Sequence, residues 1–279
     1  MTLATLAEVL GPALRDGYAV PGLVCLGWED ARAYVRAAEA ERAPVILQAG
    51  PGARAHMPVA IWGAMFRHLA EAASVPVVAH LDHGYSVEDC RVALGEGFTS
   101  VMIDGSALAL DENIALTAEV VALAHAAGAS CEGELGVVGY AGGKASTGTD
   151  PGEAARFARE TGVDALAVSV GNVHLQQDAG HGLDVALIRR IEAVTSVPLV
   201  IHGGSGVPVD ERALLAGGSH ICKFNIGTEL RMAFGAALRT AVARDPSRFD
   251  RIAILRETEE PVMAAARAVI RGLGASGRG

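Results

Sequence analysis

Three histidines, His83, His174 and His202, each follow a short apolar, β-rich run, and the carboxylates Asp82, Asp104, Glu132 and Glu134 stand at the ends of the same or neighbouring runs. Imidazoles and carboxylates gathered at one point suit a borderline-soft divalent cation. Three imidazoles leave a coordination position open for substrate, as at catalytic zinc sites. The separations are far too long for a local motif of the H-E-x-x-H kind, so spacing alone does not establish a metal. Taken singly, a histidine is more often structural or exposed than a ligand; the case rests on the fold bringing three of them together. His181 competes with His174 for the ligand role, and His174 is preferred because it follows its run directly. Glycine supplies a second signal. Gly203-Gly204-Ser205-Gly206 follows His202, and Gly227-Thr228 lies just beyond Asn225. Such turns let backbone N–H groups approach a phosphate closely, although tight turns also use glycine for geometry alone.

The elements that must hold these groups can be counted along the chain. β-rich apolar runs recur at Leu23–Gly27, Val45–Ala49, Val75–His80, Ser100–Asp104, Ala129–Glu134, Ala165–Val170, Pro198–His202 and His220–Asn225. Between them lie segments with apolar spacing near 3.6, such as Glu29–Arg42 and Leu110–Ala127. Asp150-Pro151 and Asp184 read as helix starts. Strands alternating with helices require a parallel sheet, because each crossover returns the chain to the same end. Eight such units predict an α/β fold, a closed (β/α)8 TIM barrel in a single domain over 1–279; a doubly wound open sheet is the alternative. In such barrels the active site lies where strands end and loops begin, and the glycine loops after strands seven and eight often bind phosphate. Ionisable residues collect at those strand ends, where burying them without a purpose would be costly.

Composition bounds the function. The chain has 279 residues, 51% of them hydrophobic, enough for one sizeable core. The formal net charge of -9 and the lack of a long basic run argue against nucleic acid and anionic membranes as partners. Cys25, Cys90, Cys131 and Cys222 form no C-x-x-C pair and read as buried, reduced thiols. No apolar stretch reaches the ~18–20 residues that span a bilayer, and no signal-peptide pattern opens the chain, so a soluble cytoplasmic protein is expected. The glycine-rich tail from about Gly272 reads as mobile. The segment Glu259–Leu273 could supply an interface or lie on the barrel.

Four strings, His80-Leu81-Asp82-His83-Gly84, Glu132-Gly133-Glu134-Leu135-Gly136, Ile201-His202-Gly203-Gly204-Ser205-Gly206 and Lys223-Phe224-Asn225-Ile226-Gly227-Thr228-Glu229-Leu230, resemble the class II ketose-bisphosphate aldolases, the family of the fructose- and tagatose-bisphosphate enzymes. The resemblance runs from about residue 3 to residue 275 and implies the barrel fold. It further implies that His83, His174 and His202 are catalytic zinc ligands, that Asp104 and Glu134 belong to an alternative metal position, and that Asp82 is the catalytic carboxylate. Gly203, Ser205, Asn225 and Thr228, with the adjoining Gly204, Ile226 and Gly227 and the backbone of Leu175, resemble the residues that hold the substrate phosphate. A monovalent cation near the phosphate and a homodimer or homotetramer are also implied. The implied chemistry is reversible cleavage of a ketose phosphate into dihydroxyacetone phosphate and an aldehyde through a zinc-stabilised enediolate, with Asp82 moving the proton of the C4 hydroxyl. No Schiff base is needed, so Lys223 is not required as a nucleophile; it is left with His80 and Glu132 as a packing or supporting residue.

The chain departs from the family pattern in three places. The loop 137–149 lacks the acid that usually exchanges the proton of the three-carbon fragment, leaving Tyr140, Lys144 or a water for that task. Leu175 stands where glycine usually follows the ligand histidine. Gly50 replaces a substrate-contacting serine, and the Phe-Asn pair of strand one is absent from Gly22-Leu23-Val24-Cys25. These changes point to a specialised ketose 1-phosphate rather than fructose 1,6-bisphosphate. Arg231 and Arg251 are candidate contacts for a second phosphate. The competing readings are another metal-dependent lyase on the same scaffold and a non-catalytic sugar-phosphate binder.

Overall fold

The computed structural model describes residues 2–140, 146–174 and 182–279. Eight strands form the barrel: β1 (Val20–Val24), β2 (Val45–Ala49), β3 (Val77–Gly84), β4 (Ser100–Ile103), β5 (Ser130–Leu135), β6 (Ala165–Val168), β7 (Leu199–Ile201) and β8 (Ile221–Ile226). They pair in parallel in the order β3-β2-β1-β8-β7-β6-β5-β4, and β4 pairs back to β3 to close the ring. Helices lie between the strands, so the architecture is the expected (β/α)8 barrel in one domain. Each barrel strand has a core on both faces, which is why nearly every strand position is buried.

Local signals fix where the helices begin. Asp150 accepts from the Glu153 N–H with Pro151 in the first turn, and Asp184 accepts from the Leu187 N–H. Thr5 with Glu8, and Ser86 with Asp89, close reciprocal capping boxes. Gly63 lets the helix Val59–Ala72 lie against the turn after Val87–Gly95; a Cβ there would stand 2.2 Å from the Glu96 carbonyl oxygen.

One expectation is corrected. The first strand is Val20–Val24, not Leu23–Gly27, because Pro21 and Gly22 pair in register with Phe224 and Asn225 of β8. Partners already in place override the poor β-propensity of Pro and Gly. The start of the C-terminal tail packs against the chain. Leu273 and Ala275 are buried, the Leu273 carbonyl accepts from the Ala19 N–H at 3.0 Å, and Gly277 donates to the Glu41 carbonyl at 2.8 Å. The apolar stripe of the last helix, Arg251–Gly272, is covered by the chain's own helices Trp28–Glu41 and Thr228–Arg244, which bury Val262, Met263, Ala266 and Ile270. Of the two readings left open for Glu259–Leu273, packing within the chain is the one this arrangement fits.

Deleting residues 273–279 should lower stability. Loss of the buried Leu273 alone is worth about 1.5–3 kcal/mol, and a large domain shifts its Tm by roughly 2–4 °C per kcal/mol. A thermal melt unchanged by the truncation would show that the packed tail contributes nothing.

Candidate metal centre and substrate cavity

β3 delivers the first ligand candidate by an unusual backbone. His80, Asp82 and His83 lie inside this strand, not beyond it, and its pairing with β4 shifts register between Leu81 and Gly84. His83 sits at φ 53°, a left-handed conformation costing about 1–3 kcal/mol for a non-glycine residue. Arg54, on the short helix Pro51–His56, holds the bend by donating to the carbonyls of Ala49 at 2.7 Å, Asp82 at 2.6 Å and His83 at 2.8 Å. The turn points Asp82 and His83 into one space. Arg54 was not singled out from sequence; its only signal there is a lone cation in a Gly- and Ala-rich rim segment.

Three imidazoles converge on that space. Ring centroids are 4.8 Å apart for His83 and His202, 5.5 Å for His83 and His174, and 5.7 Å for His174 and His202. One donor atom from each lies within 4.8 Å of the others, and the same holds for His83, Asp104 and Glu134. His174 comes from the two-residue strand Val173–His174, paired with Gly139–Tyr140 on the barrel rim. Asn172 ties this segment to β7 by donating to the His202 carbonyl at 3.0 Å. Gly203 must be glycine: its φ is 67°, and a Cβ would stand 2.2 Å from the Val173 carbonyl oxygen.

The polar bookkeeping favours a cation. His202 Nε2 faces Glu132 Oε1 at 2.9 Å, which leaves Nδ1 with a lone pair. That Nδ1 lies 3.5 Å from Glu134 Oε2, and among the described residues neither atom has a hydrogen-bond partner. Two buried acceptors facing each other need something positive between them. The donor set of imidazole and carboxylate suits zinc, so the residues fit the group.

Charge adjusts accordingly. Burial alone would lower the pKa of His83, but Asp82, Asp104 and Glu134 outweigh it and raise it to about 9. Burial pushes Glu134 up to about 8. Burial, assisted by the His83 charge, lowers His174 to about 4 and holds His202 well below the ordinary range. Asp104 is driven up by burial, yet its bond to His83 at 3.0 Å brings it well below the usual carboxylate range.

Beside the imidazoles lies a cavity of about 520 Å³, a size that accepts a small metabolite. Asp82, His83, His174, Gly203, Ser205, Asn225, Gly227 and Thr228 line it. Gly204 and Ile226 are buried behind that wall, and Leu175, His181 and Lys144 lie outside the described residues. Ser205 Oγ accepts from the N–H groups of Gly227 at 3.3 Å and Glu229 at 3.4 Å, so the loop after β7 caps the helix Thr228–Arg244 that follows β8. Backbone N–H groups at such a helix start suit an anion. Asn225 donates to Asp82 Oδ1 at 3.3 Å. Val24, Leu26, Gly50, Pro51 and Ala53, from the ends of β1 and β2, add an uncharged stretch of the lining. Arg231 reaches the cavity, whereas Arg251 lines a separate surface hollow with Trp28 and Arg32.

Zinc affinity should depend on pH through His83. The ion needs the neutral ring, and with a pKa of about 9 the metal-free protein holds that proton at neutral pH. Affinity should therefore rise about tenfold per pH unit between roughly pH 8 and pH 9, more steeply below roughly pH 8 where the Glu134 proton must also leave, and flatten above roughly pH 9. His174 and His202 are already neutral and add no slope. Competition with a chelator between pH 6.5 and 9, values spanning roughly the His83 transition, would test this; a flat profile would contradict the charged His83.

The chain matches the family described as fructose-bisphosphate aldolase class-II over residues 4–278. It is 38% identical to the fructose-bisphosphate aldolase of Geobacillus stearothermophilus, covering 100% of this chain and 99% of that protein. It is also 38% identical to the 6-phospho-5-dehydro-2-deoxy-D-gluconate aldolase of Shouchella clausii, over 100% and 97% of the two chains. The crystal structure of the YdjI aldolase from Escherichia coli K12 superposes with a TM-score of 0.85 at 32% identity, covering 99% of each chain. A parallel barrel with histidines and carboxylates gathered at its rim thus accompanies sequence similarity along the whole length, and the chain belongs to the class II fructose-bisphosphate aldolase family.

Proposed function

We propose that the protein is a metal-dependent aldehyde-lyase that reversibly cleaves a ketose phosphate into dihydroxyacetone phosphate and an aldehyde. The observation that carries this is the convergence of His83, His174 and His202 at a cavity that Asp82 and the glycine loops also line. His83, His174 and His202 would hold zinc, with Asp104 and Glu134 offering a second position beside His83. Zinc there supplies a Lewis acid for the substrate carbonyl. Asp82, steadied by Asn225, takes the proton from the C4 hydroxyl on cleavage and returns it on condensation, while the three-carbon fragment takes its proton from water. Gly203, Ser205, Gly227 and Thr228 anchor the phosphate through the backbone, and Asn225 aligns the carbon chain; that anchoring orients the bond to be broken. A monovalent cation beside the phosphate belongs to the same reading.

The aldehyde half is a specialised one. Val24, Gly50 and Pro51 give no charged contact to a second phosphate and leave Arg231 as the one arginine or lysine in the lining among the described residues, and a Cβ on Gly50 would already stand 3.2 Å from Asp82 Oδ2. The Shouchella clausii relative carries a name with a substrate other than fructose bisphosphate, which supports a ketose 1-phosphate or related sugar phosphate here. Sugar metabolism in the cytoplasm is part of the proposal. Supporting it, the four cysteines are free thiols, and among the described residues no helix is long and apolar enough to cross a membrane. A homodimer or homotetramer is also proposed; the helix Thr228–Arg244 buries few of its own residues and exposes Met232 and Val242.

Asp82→Asn should retain zinc while lowering kcat for retro-aldol cleavage by about 10²–10⁴-fold. A variant as fast as the parent would remove Asp82 from the chemistry. Turnover of fructose 1,6-bisphosphate should be slow beside that of ketose 1-phosphates, and fast cleavage of the bisphosphate would end the specialised reading. Zinc-loaded protein that cleaves no ketose phosphate would favour a different lyase on this scaffold.

A further inference from the structure

Below the cavity, inside the barrel, lies a group of ionisable side chains that the chemistry above does not use. Lys223 of β8, Glu132 of β5, His80 of β3 and His202 beyond β7 are all fully enclosed. Lys223 Nζ donates to Glu132 Oε2 at 2.6 Å. The other carboxylate oxygen, Oε1, lies 2.9 Å from His202 Nε2. Lys223 Nζ also stands 3.4 Å from His80 Nε2, and His80 Nδ1 stands 2.8 Å from Ser100 Oγ.

We propose that Glu132 and Lys223 are positioning residues for His202, fixing which ring nitrogen it turns toward the metal. This rests on His202 being a ligand, as read above. The geometry allows one arrangement of protons. Glu132 has one oxygen committed to the ammonium, so its second oxygen can only accept, and His202 Nε2 must carry the proton. The lone pair then sits on Nδ1, the buried atom without a hydrogen-bond partner that faces Glu134 Oε2 at 3.5 Å. A carboxylate bonded to the far nitrogen of a ligand imidazole fixes its tautomer and orientation and raises its basicity.

Lys223 completes the device. An unpaired carboxylate at the position of Glu132 would be costly to bury, and it would be free to take a proton or turn away. The ammonium keeps it charged and holds its plane. The same ammonium needs an acceptor at His80 Nε2, which turns the His80 Nδ1 proton toward Ser100 Oγ and fixes that ring as well. If the pair served stability alone, apolar residues of equal volume would serve as well or better; they could not set the His202 tautomer. Neither Lys223 nor Glu132 lines the cavity, so neither touches substrate.

The test compares the wild-type chain with Glu132→Gln and with the double variant Glu132→Leu/Lys223→Met, which removes both charges together. Long-range ¹⁵N–¹H NMR of the metal-free protein, with His202 assigned by loss of its signals in His202→Asn, should show the Nε2–H tautomer in the wild type and a mixture in the double variant. Zinc affinity, measured by chelator competition, should fall about 10–100-fold in the double variant. Glu132→Gln, which guards against a folding defect in the double variant, must turn its single amide oxygen to the donor-only ammonium and its NH2 to Nε2, so it should move the proton to Nδ1 and lower affinity by a comparable factor. Thermal melts in EDTA establish that each variant is folded. An Nδ1–H tautomer in the wild type, or folded variants that bind zinc as tightly as the parent, would overturn the inference. No zinc uptake by the wild type would instead overturn the function proposed above, whatever the tautomer.

Discussion

Crowding of carboxylates around His83 is the constraint on which the rest of the site depends. Asp82, Asp104 and Glu134 surround a largely buried ring, and negative charges held this far from bulk water must be answered locally. The metal-free protein answers with protons, one on His83 and one shared toward Glu134, whose pKa is pushed up to about 8. A divalent cation answers the same need with a single charge centre. The pocket is therefore stable in either form, and exchange between them is proton release against metal uptake.

The scaffold turns this local demand into a defined geometry. The converging groups come from β3, β4, β5, the segment after β6, and the end of β7, and no two adjacent residues supply the whole set. Barrel closure fixes the distances between those strand ends to within what their side chains can span. Local strain completes the aim: the left-handed turn at His83, clamped by Arg54, redirects two consecutive side chains into the cavity, and Gly203 lets the two loops bearing His174 and His202 touch. Such strain persists because the surrounding hydrogen bonds leave the backbone no cheaper alternative.

Family membership and the departures from its pattern act on different parts of the molecule. The half of the cavity around the imidazoles and the glycine loops keeps the residues that the family resemblance rests on. The ends of β1 and β2 contribute Val24, Leu26, Gly50, Pro51 and Ala53 to the lining, which offer shape without charge. A barrel permits this division because each strand end carries its own loop, so one wall can change while the reacting end stays fixed.

Periodicity determined the fold. Apolar runs alternating with helical segments gave eight parallel strands, and the capping residues Asp150 and Asp184 marked helix starts, because these signals are local and repeat. Motif order gave the family, and the strand-end rule gave the rim on which His83, His174 and His202 meet. Sequence failed where a partner far along the chain decides the outcome. Pro21 and Gly22 form a strand because β8 pairs with them, Leu273 and Ala275 are fixed because Ala19 and Glu41 hold the tail, and Arg54 finds three carbonyls that only the closed barrel brings together. The proton arrangement of His202 belongs to the same class. It follows from Glu132, 70 residues away in sequence, and from Lys223 across the barrel, so only tertiary contact could decide which nitrogen keeps its lone pair.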